Sequence, residues 1–180
     1  MRKSISLVLV IMLALIAVAL LPGCGGDTKQ AKQYMENGDK LVKQLQEEAN
    51  TWQTDVSASM GNVNDPVAFQ SAIEKAKASA NELSKTAGEA KAEFEKINTL
   101  EGVDDYAEYA DLQIQALDKF QELITKTNSF FDQIAAMVNS GDVTGLTAAQ
   151  EQYTDEVGAI GEEINKLDEE AQKLKADKDL

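Results

Sequence analysis

The side chains of this sequence that could do chemistry are mostly carboxylates, because the chain has 31 aspartate and glutamate residues, one cysteine and no histidine. One group of carboxylates lies in the stretch EGVDDYAEYAD and comprises Glu101, Asp104, Asp105, Glu108 and Asp111. Clustered carboxylate oxygens are ligands for Ca²⁺, but this stretch lacks the spacing of an EF-hand loop. Acidic side chains are also favoured in the first turns of any helix by the helix dipole. We therefore predict no metal site, and name these five carboxylates as the residues to inspect for one.

A second candidate site consists of polar side chains that interrupt the apolar seams of the predicted helices. Counting along antiparallel helices places Trp52, Thr127 and Gln150 at similar heights. An aromatic wall with two hydrogen-bonding groups would suit a small ligand. Polar residues in a seam also fix the register of packed helices, and we favour this second interpretation.

The sequence lacks the motifs of the common enzyme classes. Without histidine there is no Ser-His triad and no histidine-based zinc or haem site. Neither a G-x-x-x-x-G-K-[ST] phosphate loop nor a G-x-G-x-x-G turn is present in the sequence. A carboxylate pair that acts as acid and base needs a cleft that shifts one pKa, and helices covered with solvated carboxylates offer none. We therefore predict a protein that is not an enzyme and that uses no cofactor.

The single cysteine, Cys24, follows a pattern typical of an export signal. A basic start, MRK, precedes the unbroken apolar run Leu7–Leu21, and a Pro-Gly pair ends the run just before the cysteine. The run is short for a membrane-spanning helix, which needs about 20 residues. It also lacks charge on its outer flank, which disfavours the alternative of a retained transmembrane anchor. Both interpretations place the residues after Cys24 outside the cytoplasm.

The residues LPGC resemble the lipobox of prokaryotic lipoproteins, with an aliphatic residue at −3, a small residue at −1 and the cysteine. The resemblance covers only about the first 25 residues. It implies a signal peptide over residues 1–23, cleavage between Gly23 and Cys24, and a diacylglyceryl thioether on the Cys24 sulfur, often with an acylated α-amine. Two or three acyl chains hold a protein stably on a bilayer.

This resemblance implies an address at the cell membrane, on its extracytoplasmic face. In an organism with two membranes, Gly25 at position +2 lacks the aspartate that resembles an inner-membrane retention signal. The outer membrane is then the alternative location. The membrane is thus an expected partner, reached through the lipid.

The charge of the chain restricts its other partners. The net charge is −14, and removal of Arg2 and Lys3 with the signal peptide leaves a more negative remainder whose only cations are lysines. Such a surface repels phosphate backbones, which excludes nucleic acid as a partner. It also repels anionic lipid headgroups, so that contact with the membrane should be hydrophobic.

Four helical segments must position these residues, because apolar side chains recur at alternating steps of four and three residues between turn signals. The predicted helices cover about 29–60, 66–98, 104–139 and 143–176, after a short tether over 24–28. The second segment opens with Asp65 as the predicted N-cap and Pro66 at the first helical position. Within the fourth, Gly158 and Gly161 mark a kink, a close partner or tolerated surface positions, at about 1 kcal/mol each against alanine.

The spacing is that of helices packed at about +20°. Short connections make sequential neighbours antiparallel, which predicts an all-α, up-down-up-down four-helix bundle over residues 29–180. Two other architectures fit the pattern. One is a long hairpin that pairs between chains, and the other is a three-helix core with a detached first helix.

These observations together predict a lipid-anchored bundle of the cell envelope that acts by binding or spacing rather than by catalysis. An envelope protein or a wall component would be its partner. The alternative function is the binding of a small ligand or a divalent cation, in the manner of a sensor. The oligomeric state does not follow from the sequence.

Overall fold

The computed structural model describes residues 25–61, 65–140 and 144–180. These residues form four helices, α1 (Gly25–Gly61), α2 (Pro66–Ile97), α3 (Asp104–Ser140) and α4 (Thr144–Lys178). No strand occurs within the described ranges. No described helix carries an apolar stretch sufficient to span a bilayer. The predicted signal peptide, its cleavage site and Cys24 lie outside the described residues.

The predicted four-helix bundle is confirmed. Sequential neighbours run antiparallel, because residue numbers rise on one helix where they fall on the next. The ion pairs that join them follow this order: Asp55–Lys75 between α1 and α2, Lys77–Asp132 and Lys91–Asp118 between α2 and α3, and Lys119–Glu163 and Lys126–Glu156 between α3 and α4. Because α1 packs along α2 and the bundle forms within one chain, the architecture with a detached first helix is wrong.

The helix starts follow from local chemistry. Asp65 caps α2 as predicted, because its Oδ1 accepts hydrogen bonds from the backbone N–H of Val67 and of Ala68, each at 3.1 Å, with Pro66 at the first helical position. The start of α1 differs from the expectation. This helix begins at Gly25, so residues 25–28, which were predicted as a tether, are helical.

The turn between α2 and α3 depends on one glycine. The Leu100 N–H donates to the Ile97 carbonyl at 3.0 Å, which tightens the end of α2. Gly102 then adopts a φ of 69°. This left-handed conformation is adopted readily by glycine and rarely by residues with a Cβ.

Helix α2 provides the densest part of the core. Its buried residues are Phe69, Ile73, Ala76, Ala80, Leu83, Thr86, Ala87, Ala90, Phe94 and Ile97. The alanines let neighbouring helices approach α2 closely, and large side chains of α1 and α3 fill the space against them. One close contact is at Gly38 of α1, where a Cβ atom would lie 2.5 Å from Cζ of Phe94.

The fourth side of the bundle is open. No Cα atom described in α1 lies within 8 Å of a Cα atom of α4, whereas α1 does come this close to α3 across the bundle. As a result, the apolar residues of α4 that face this side, Tyr153, Val157 and Ile164, are only half-buried. A groove therefore runs between α1 and α4, with α3 as its floor.

Candidate functional site: the groove between α1 and α4

The α1–α4 groove contains two cavities in sequence along its length. The proximal cavity, nearer the start of α1, has a volume of about 230 Å³ and is lined by Val42, Leu45, Gln46, Ala49, Gln113, Ala116, Leu117, Phe120, Ile164, Asn165 and Asp168. The distal cavity has a volume of about 300 Å³ and is lined by Ala49, Asn50, Trp52, Gln53, Val56, Leu123, Tyr153 and Val157. Ala49 lines both cavities, so the two are adjacent. Most of the lining is apolar, and the remainder is mainly uncharged amide side chains.

A polar clasp, formed by Asp39, Tyr109 and Lys175, closes the proximal end of the groove. The Tyr109 hydroxyl donates to Asp39 Oδ1 at 2.7 Å, and Lys175 Nζ donates to Asp39 Oδ2. The Lys175 ammonium also lies 5.5 Å from the centroid of the Tyr109 ring, within cation–π range. One side chain each from α1, α3 and α4 thus meets here, and the clasp links α1 to α4 where their backbones are apart.

The Tyr109 side chain is fully buried, and this burial raises the pKa of its hydroxyl. The neighbouring Asp39 carboxylate raises the pKa further, because it accepts a hydrogen bond from the protonated form and repels the phenolate. Gln113, one turn further along α3, donates from Nε2 to the Tyr109 oxygen at 3.4 Å. The phenol therefore remains a protonated hydrogen-bond donor.

The distal end of the groove is closed by aromatic and hydroxyl side chains. The Tyr153 and Phe130 rings stack with centroids 4.1 Å apart and planes 9° from parallel. The Thr127 and Tyr153 oxygens lie 2.9 Å apart, and Thr127 already donates to the Leu123 carbonyl. Because a hydroxyl has one proton, Tyr153 is the donor in this pair. Burial raises the pKa of Tyr153 and favours this protonated form.

The structure brings together only part of the pocket predicted from Trp52, Thr127 and Gln150. Trp52 is 6% exposed and forms a wall of the distal cavity, and Thr127 lies behind Tyr153. Gln150 is exposed and lines neither cavity, so its placement in the pocket is corrected. The seam of α4 steps three residues from Leu146 to the buried Ala149, which turns Gln150 outward.

The acidic stretch is solvated and partly neutralised. Asp105 forms an ion pair with Lys178 at 2.9 Å, because the last turn of α4 lies beside the start of α3. Asp111 accepts a hydrogen bond from Asn98 at 2.6 Å. Glu101, Asp104 and Glu108 are exposed. Within the described ranges, no three metal-binding side chains come close enough to hold an ion.

Two other hollows lie on the α3–α4 face, and ion pairs cross both of them. Lys119 binds Glu163 at 2.7 Å in one hollow, and Lys126 binds Glu156 at 2.8 Å in the other. The α1–α4 groove differs, because Asp168 is the one ionised side chain that lines its cavities. No hydrogen bond or ion pair joins this half-buried carboxylate to another described residue.

The sequence interpretation did not identify the clasp, the groove or the role of Asp168. Hydrophobic spacing reports which face of a helix is apolar, but contacts such as Asp39–Lys175 join residues far apart in the chain. The arrangement offers apolar walls, uncharged polar edges and one unpaired carboxylate, which suits the binding of a largely apolar group. Comparison of this chain with protein-family models, with curated proteins and with solved structures gave no match in any of the three.

Proposed function

We propose that this protein is a lipid-anchored, extracytoplasmic adaptor that holds a partner in the α1–α4 groove, close to the membrane. The observation that carries the binding role is the open side of the bundle, where an apolar surface of α1, α3 and α4 is left half-buried. Clefts with mostly apolar walls and a few polar groups are the usual binding sites of proteins. Anchoring rests on the lipobox-like residues that end at Cys24.

The start of α1 supports an adaptor that works near its anchor. Because helix geometry begins at Gly25, little extended chain separates Cys24 from the bundle. The acidic surface would resist adsorption to anionic headgroups, so that the lipid rather than the protein surface would hold the bundle at the membrane.

The anchoring role is tested by the substitution Cys24→Ser in the full chain. We expect the native protein to fractionate with membranes, and its mass to correspond to a chain that begins at a diacylglyceryl-modified Cys24. The variant should lack this modification. Gly26→Ala is the matched control, because an added Cβ meets nothing within 4 Å there, and it should stay lipidated. A native protein with an intact Met1 and an unmodified residue 24 would refute the anchor.

A second function, small-ligand binding, is favoured by one specific observation. Trp52 Nε1 is buried and has no hydrogen-bond acceptor among the described residues, although the Trp52 ring forms part of the distal cavity. An unsatisfied buried donor costs about 1–3 kcal/mol. A neutral ligand with an acceptor group could satisfy it after a small ring rotation. Stabilisation that grows as RT ln(1 + [L]/Kd) in thermal melts with a metabolite panel would favour this function over the adaptor.

A further inference from the structure

We propose that the occupant of the α1–α4 groove is a single amphipathic helix of a partner protein, with lysine or arginine residues flanking its apolar face. The proposal rests on the adaptor function above and names the partner class for the same groove. Two features carry it: the spacing of the two cavities and the charge of their lining.

The spacing of the cavities matches the repeat of a helix face. The proximal cavity is walled by Leu45 and Ile164, and the distal cavity by Trp52 and Val157. The two wall residues of α1 are thus seven positions apart, and so are the two wall residues of α4. Seven residues of α-helix rise about 10 Å. A helix laid along the groove would place side chains at i and i+7 into successive cavities, which is the usual pattern of helix-in-groove recognition.

The groove is also of suitable length. From Val42 to Val56, the α1 residues that line the cavities span about 20 Å of helix axis, or roughly four turns. A helix of this length placed between α1 and α4 would cover the half-buried seams of both. It would contact α3 through the half-buried side chains of Phe120 and Leu123.

Charge determines which helix would bind. The cavities contain no cation, and the unpaired Asp168 lies at the proximal end. A basic residue of the partner at this end would neutralise a half-buried carboxylate that has no partner among the described residues. A second copy of the chain also has a net charge of −14, so the two copies would repel each other. An anionic amphiphile would be repelled for the same reason. The basic amphipathic helix is therefore the occupant that fits.

The test uses the full chain in zwitterionic nanodiscs whose scaffold contains no tryptophan, and a tryptophan-free synthetic peptide. The peptide has about 18 residues, with leucines repeating at i, i+3, i+4 and i+7 and lysines on its flanks. Trp52 is the only tryptophan of the chain and lines the distal cavity, so its fluorescence reports occupancy directly. We expect a saturable change in Trp52 emission at one peptide per chain, with affinity that falls as salt is raised. Empty nanodiscs control for binding to lipid.

Substitutions on both molecules separate groove binding from adsorption. Ala49→Phe places a ring at the junction of the two cavities and should weaken binding at least tenfold, whereas Ala159→Phe, at an exposed position of α4 outside both cavities, should not. Asp168→Asn should weaken binding several-fold and reduce its salt dependence, whereas the exposed Asp155→Asn should not. A peptide with glutamates in place of its lysines should bind at least tenfold more weakly to the native protein.

Other results would overturn the proposal. Equal peptide binding by native protein and Ala49→Phe, no change in Trp52 emission, or equal binding of the basic and acidic peptides each contradict it. Self-association of the chain that Ala49→Phe abolishes would assign the groove to a second copy. The peptide measurements do not depend on lipidation. If the protein is lipidated at Cys24 but does not bind the peptide, this inference is refuted and the anchor is not. If the protein binds the peptide but is not lipidated, the anchor is refuted and this inference is not.

Discussion

Asp55 is the clearest case of a single side chain that the fold has brought into an unusual environment. It is 5% exposed, yet it accepts a hydrogen bond from Lys75 Nζ at 2.7 Å and another from Ser79 Oγ at 2.8 Å. These bonds, the Lys75 bond first, lower the pKa of the Asp55 carboxyl below its ordinary value of 3.8, although burial acts in the opposite direction. The folded state therefore binds the proton of Asp55 less tightly than the unfolded chain does.

A lowered pKa in the folded state gives stability that is present above the unfolded pKa and is lost as pH falls through the folded pKa. We expect Asp55→Asn to lower the free energy of unfolding by about 1–3 kcal/mol near neutral pH, because a buried, charge-assisted hydrogen bond is lost. The difference from the native protein should shrink as pH falls below 3.8. Urea unfolding followed by circular dichroism at several pH values measures this.

Asp132→Asn is the control for Asp55→Asn. The Asp132 carboxylate also pairs with a lysine, Lys77, but its side chain is 73% exposed. Exposed ion pairs contribute about 0–1 kcal/mol, so this variant should stay close to the native protein at every pH. A destabilisation by Asp55→Asn that does not vary with pH would contradict the assigned role.

At the scale of the helices, glycine has opposite consequences in α1 and α4. Gly38 of α1 lies against the fully buried Phe94 ring, whose Cζ would be 2.5 Å from an added Cβ. Gly158 of α4 is exposed, and nothing lies within 4 Å of the corresponding position. Alanine would improve helix propensity equally at both sites, by about 1 kcal/mol. Only Gly38 has a neighbour that would have to move.

We therefore expect Gly158→Ala to raise the free energy of unfolding by about 1 kcal/mol. We expect Gly38→Ala to lower it, because overpacking costs about 1–3 kcal/mol and outweighs the gain in propensity. Gly88→Ala in α2 is the control for Gly38→Ala, because an added Cβ meets open space there. It should behave as Gly158→Ala does. Equilibrium denaturation of the three variants measures the effect, and stabilisation by Gly38→Ala would show that α1 and α2 can separate freely at this point.

The same scale shows how far the sequence could predict the fold. Apolar side chains at steps of four and three predict one buried seam on each helix. In α2 the residues with this spacing, from Phe69 to Ile97, are all buried, because α2 has a neighbour on each side. The seams of α1 and α4 were expected to be buried too, but Val42 and Ile164 are only half-buried. Periodicity predicts which face of a helix is apolar, but not whether another helix covers that face. The groove is for this reason visible only in the structure.

For the whole molecule, the clasp is the feature that joins the two edges of an open bundle. Lys175 is half-buried, reaches Asp39 of α1 across the groove and lies over the Tyr109 ring of α3, so one side chain of α4 contacts both other helices. Elsewhere the described parts of α1 and α4 are linked indirectly, because both helices pack against α3. The last turns of α4 should therefore depend on Lys175.

We expect Lys175→Met to increase amide hydrogen exchange several-fold in the last turns of α4, with a loss of only about 1 kcal/mol in global stability, because the ion pair is partly exposed. Methionine keeps the apolar stem of the lysine, so the change isolates the charge. Lys173→Met, at an exposed position of the same helical segment, should leave exchange unchanged. Exchange measured by mass spectrometry decides the point, and equal protection in both variants would mean that the clasp does not hold α4.

The continuous course of α1 from Gly25 has a consequence for how a partner could reach the groove. At 1.5 Å per residue, Val42 lies about 25 Å along the axis from Gly25, and Val56 lies about 20 Å beyond it. If Cys24 is fixed in a bilayer and α1 stands perpendicular to it, the length of α1 sets the height of the groove above the headgroups. A partner rooted in the same membrane would need a stalk long enough to present its helix at that height.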